Sequence, residues 1–178
     1  MRSDRSVSVI ALMSVLSFAL SGQDAAVVSI NLATPKIETT AKYAVWRTDY
    51  YICTGLAYAK SQGKSVQDFT NFVADRHTLD TFRNKGLASL VKFFNFFMKS
   101  YPGGKLEIIF SNVKSVQFRS NRPYRQYFND GPILGVTLDE FESYLWGHLI
   151  IILKRIDIKM DNTIDSNYVT ITLSLTSS

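Results

Sequence analysis

Lys105-Leu106-Glu107-Ile108-Ile109-Phe110-Ser111-Asn112-Val113-Lys114-Ser115-Val116-Gln117-Phe118 is the stretch where the chain changes its hydrophobic period. Residues 105–110 and 113–118 read as two strands, and Ser111-Asn112 reads as the turn that makes them a hairpin. Upstream of this stretch, apolar residues recur every three or four positions, as on helices. Downstream, the chain closes with Ile156–Met160 and Tyr168–Leu175, both alternating with period two as one-face-buried antiparallel strands do.

Working back from the hairpin, three helices are expected. The first runs from about 40 to 61, capped by Thr39 or Thr40, with Tyr43, Trp46, Tyr50, Cys53 and Ala57 on one stripe. The second covers about 66–77 behind Ser65 and Asp68, with Val66, Phe69 and Val73 inward. The third spans about 80–100, opened by Asp80. Its stripe is Leu87, Leu90, Val91, Phe94 and Met98, with Phe93, Phe96 and Phe97 surplus to one interface. Working forward, Pro123 and Asn129-Asp130-Gly131-Pro132 mark loops. Thr137-Leu138-Asp139-Glu140 is a capping box that opens a fourth helix, closed by Lys154 and Arg155 at the end where cations are favoured. The apolar run 149–153 implies burial of that helix end on two sides. This order predicts an α+β fold: three N-terminal helices, then an antiparallel sheet of about four or five strands with one inserted helix, the helices on one face.

The chain start reads as a cleavable export signal. Arg2 and Arg5 form a charged lead, residues 7–20 an apolar core, and Ala19 and Ser21 the small residues before a cut at Gly22. That apolar core is shorter than the ~20 residues a membrane span needs. The expected organisation is a signal peptide over 1–21 and one α+β domain over 22–178, with 27–32 (VVSINL) as a short edge strand. The mature product is expected to be periplasmic or secreted, without a membrane anchor. Loss of Arg2, Asp4 and Arg5 takes the formal net charge from +5 to +4. That charge is too low for a dedicated nucleic-acid binder. A single cysteine, Cys53, excludes an internal disulfide and multi-cysteine metal sites.

No stretch carries a recognised catalytic or cofactor motif, and neither a metal nor a cofactor is expected. His77 sits between Asp75 and Asp80, which can orient an imidazole, but metal-binding histidine spacings are absent. Glu140, Tyr144 and His148 share one helix face, which suits a polar pocket or proton transfer; a hydrogen-bonded core histidine is the simpler alternative. Residues 114–125 hold Lys114, Arg119, Arg122 and Arg125 without an acid, interleaved with Phe118 and Tyr124 and followed by Tyr127. Arginine beside aromatics is the chemistry of anion recognition; a solvated strand edge is the alternative.

With aromatics at 13% of the chain, the leading expectation is an exported protein that binds a small apolar or aromatic ligand, with or without a negative charge, and does no catalysis. Arg119, Arg122, Tyr124 and Tyr127 are the candidates for a headgroup, and Trp46, Tyr50 and Phe94 for walls, with His148 as a polar contact. One rival is an enzyme using His148 or His77 with nearby carboxylates. The other is a cell-envelope interaction module whose surplus aromatics cover a partner or a homodimer face.

Overall fold

In a computed structural model, the described residues are 37–77, 79–83 and 85–176. The segment read as an export signal and the expected strand at 27–32 lie outside them. The architecture is α+β, as the pattern of periods predicts. The helices are α1 (Ile37–Ser61), α2 (Val66–Ala74), α3 (Gly86–Ser100) and α4 (Leu138–Lys154). The strands are β1 (Leu106–Ser111), β2 (Ser115–Asn121), β3 (Ile158–Ile164) and β4 (Tyr168–Leu175). They form one antiparallel sheet in the order β1-β2-β4-β3.

Side-chain alternation decides which face of the sheet is covered. Val116, Phe118 and Ser120 of β2 and Val169, Ile171 and Leu173 of β4 are buried, while their neighbours face the other side. α3 lies against β1, β2 and β4, and α4 lies against β3. α2 packs on the far side of α4, and α1 packs on α2. Burial of α4 between β3 and α2 is the physical reason for its apolar run. The α1–α2 approach is close: a Cβ added at Gly55 would sit 2.7 Å from Phe69 Cζ, so only glycine lets that ring in.

Local chemistry explains the helix ends. Ser65 and Thr137 each accept from the backbone N–H three residues on, while Asp68 and Glu140 accept from the cap N–H groups in return. Asn112 Oδ1 accepts from the backbone N–H of Lys114 and Ser115, which closes the β1–β2 turn.

Two helix boundaries and one buried stripe differ most from the sequence reading. The third helix does not open at Asp80. Residues Asp80–Phe82 make a 3-10 turn, and α3 begins at Gly86, whose φ of 71° turns the chain into the helix. α2 ends at Ala74, because Asp75 to His77 peel away to meet α4. The buried stripe of α1 holds Asp49, Cys53 and Leu56, rotated from the expected one, and Trp46 and Tyr50 are half-buried. The rotation follows from a buried hydrogen bond that no hydrophobic count registers, that of Tyr101 Oη to Asp49 Oδ1 at 2.9 Å.

Aromatic side chains fill the core rather than line a void. Phe94, Phe118, Tyr124 and Phe141 are fully buried. Phe94 and Phe118 have ring centroids 5.2 Å apart, and Tyr124 and Phe141 5.6 Å. Of the surplus phenylalanines, Phe93 packs on Phe82 and Phe97 on Tyr101, while Phe96 is 76% exposed. Among the described residues, no helix is long and apolar enough to cross a membrane.

Candidate functional site

The residues of greatest chemical interest meet where the end of β2 passes under α4. Asn121 ends β2, and Pro123 fixes the bend that starts a 3-10 segment at 123–128. This bend points Arg122 and Tyr124 at the first turns of α4, where Glu142 is one turn past the capping box. Arg122 Nε donates to Glu142 Oε1 at 2.7 Å, and Arg122 Nη2 donates to Glu142 Oε2 at 2.6 Å. Both side chains are more than nine-tenths buried. Tyr124 Oη donates to Glu142 Oε1 at 2.8 Å. Burial and the Glu142 carboxylate push the Tyr124 phenol well above its ordinary range, so it stays a donor. The Trp146 indole N–H is close enough to that phenol to favour its anion, without forming a hydrogen bond of good geometry.

Arg122 also ties down the β3–β4 turn. Its Nη1 donates to the carbonyl of Asp165 at 2.7 Å, and Arg125 donates to the carbonyl of Ser166. Asp165 Oδ1 in turn accepts from the backbone N–H of Asn167 and Tyr168, which holds its carboxyl below the usual carboxylate range. The turn and α4 thereby flank an open cleft of about 720 Å3. Trp146, Gly147 and Ile150 of α4 and Asn162 and Ile164 of β3 line its length. Asp139 and Ser143 stand at one rim and Asp165 and Ser166 at the other. Glu142 neutralises Arg122, and Asp139 and Asp165 are the other ionisable residues that line the cleft.

The sequence-predicted candidates do not form one site. Arg122 and Tyr124 are together at this floor. Arg119 is on the uncovered face of the sheet, 2.9 Å from Glu107 and with its guanidinium over the Tyr168 ring. Tyr127 packs near Tyr101, and Phe94 is inside the core. Trp46 and Tyr50 pack against each other along α1, 5.4 Å between centroids.

His148 faces His77 across α2 and α4. His77 Nδ1 and His148 Nε2 are 3.0 Å apart, the rings stack at 4.9 Å, and Tyr144 stacks on the other side of His148. Burial, and then the neighbouring His77, push the His148 imidazole down to about 4. Asp75, one of the two acids that could orient His77, instead binds Arg155 at 2.7 Å. Cys53 is buried, and desolvation pushes its thiol up to about 12, the opposite of an activated nucleophile. Among the described residues, no group of three His, Cys, Asp or Glu side chains could hold a metal ion.

Glu142, Asp49 and the pairing of the two histidines escaped the sequence reading. The only prior signal for Glu142 was a charge on the inward face of an otherwise apolar helix. No family model, curated protein or solved structure matches this chain.

Proposed function

We propose that the chain is a non-catalytic binding protein whose small-molecule site is the cleft between α4 and the β3–β4 turn. The observation that carries this reading is the buried Arg122–Glu142–Tyr124 network beneath the cleft. A fixed polar floor under an apolar wall of Trp146, Ile150 and Ile164 is the composition of ligand sites in general. The guanidinium is saturated by Glu142 and the turn carbonyls, so it holds the walls rather than the ligand. Beside the paired Arg122 and Glu142, the charged residues that line the cleft are Asp139 and Asp165. The ligand class is therefore an apolar or aromatic body bearing a cationic or donor-rich group, in place of the anionic headgroup that the arginines suggested from sequence. The enzyme reading loses support because His148 pairs with His77 and Tyr144 rather than with an acid. Export of the mature chain to the periplasm or medium remains part of this proposal.

A thermal-shift panel of aromatic amines, aromatic acids and neutral aromatics tests it. The amines are expected to raise the melting temperature, and Ser143→Trp, which fills the cleft from its rim, is expected to remove that rise. An unchanged melting temperature across the panel refutes the site.

A further inference from the structure

Among the described residues β1 is an edge strand, with no strand paired on its outer side. The backbone N–H of Asn121 donates to the carbonyl of Lys105, and Leu106 pairs with Ser120. The alternation of an antiparallel ladder then turns the N–H and C=O groups of Leu106 and Ile108 away from β2. Around this edge the surface is apolar to a degree an exposed strand rarely is: Ile108, Ile109 and Phe110 are each at least half exposed, and Val113 at the turn is 89% exposed. A groove of about 440 Å3 runs beside it, between Leu87, Ala88 and Val91 of α3 and Ile108, Val113 and Val116 of the hairpin.

The unpaired charge around the edge has one sign. Lys92 lines that groove, Lys99 and Lys105 line a second one at the start of β1, and Lys114 follows the turn. All four are exposed and make no ion pair among the described residues. The one acid on the strand, Glu107, is held by Arg119. A second copy of the chain would set lysines against lysines, and the bulge between Ile108 and Phe110 breaks the regular register that self-pairing needs.

We propose that the β1 edge docks an extended peptide segment of a partner protein, in which apolar residues alternate and acidic residues predominate among the charges. Backbone hydrogen bonds to Leu106 and Ile108 supply the pairing, the groove beside α3 takes every second side chain, and the lysines select for acids. This surface is separate from the α4 cleft and does not depend on a ligand there.

Panning the full chain against a displayed random-peptide library tests the proposal, with the enriched peptides then synthesised and titrated by backbone NMR. Enriched peptides are expected to alternate apolar residues, to carry more Asp and Glu than Lys and Arg, and to shift the amides of Leu106–Ser111. Lys92→Glu with Lys99→Glu is expected to weaken them roughly tenfold. Ile108→Pro, which removes an outward N–H that the sheet does not use, is expected to abolish binding. If the proline variant is unstable, the surface charge variant carries the test alone. Four results overturn the proposal: no enrichment; peptides indifferent to both variants; a dimer of the free chain that Ile108→Pro dissociates; or no peptide binding alongside charge-dependent binding to phosphatidylserine vesicles.

Discussion

Arg122 and Glu142 meet as a two-pronged fork with N–O distances of 2.7 and 2.6 Å, buried between the end of β2 and the first turns of α4. The same guanidinium reaches on to the Asp165 carbonyl, so three elements of the sheet–helix layer converge on one side chain. A pair held this way is costly to break from one side. Glu142→Ala leaves a buried guanidinium facing an empty space, and Arg122→Met leaves a buried carboxylate. Each is expected to lose about 3–5 kcal/mol in urea unfolding, whereas the double variant Arg122→Met with Glu142→Leu is expected to lie close to the parent. Additive losses in the double variant would show that the pair is not coupled.

Stability against pH carries two opposing contributions. Burial raises the Asp49 carboxyl to about 7, with its Oδ2 lacking a hydrogen-bond partner. Between an unfolded value of about 4 and about 7, the folded chain keeps a proton that the unfolded chain has lost, so this group's stabilisation fades as pH rises. His148 is held down at about 4, below its unfolded value near 6.5, so its contribution is present above that value and fades as pH falls. The parent is expected to show a shallow pH profile between about 4 and 7. Asp49→Asn is expected to rise in stability with pH across that window, and His148→Phe to fall. Melting temperatures at a series of pH values decide it.

Two phenylalanines of α3 separate core from surface. Phe94→Ala removes a fully buried ring that packs against Phe118 and is expected to lose about 3–5 kcal/mol. Phe96→Ser, two residues on, is expected to change stability by less than about 0.5 kcal/mol. Denaturant midpoints of the two variants check this contrast.

What was legible in the sequence was whatever local periodicity encodes. The five buried positions of α3 were read from spacing alone, as were the capping boxes at Ser65 and Thr137 and the alternation of β4. Pairings between distant polar groups were not legible, because they leave no period. Asp49 reads as a solvated helix residue until Tyr101 is placed on it. Glu142 reads as an unexplained charge on the inward face of α4 until β2 delivers Arg122. The histidines were each recognised as isolated groups, and only the packing of α2 on α4 brings them to 3.0 Å. Arg119 and Arg122, three apart on an extended chain, looked like partners; the first is on the open face of the sheet and the second turns under α4.

The fluorescence of Trp146, isolated by Trp46→Phe, tests the central claim most directly, because that indole lines the cleft. Titration with phenethylamine is expected to give a saturable change that Asp139→Asn with Asp165→Asn weakens, and phenylacetate is expected to give none. A flat response to the amine, or saturation by the acid instead, contradicts the account.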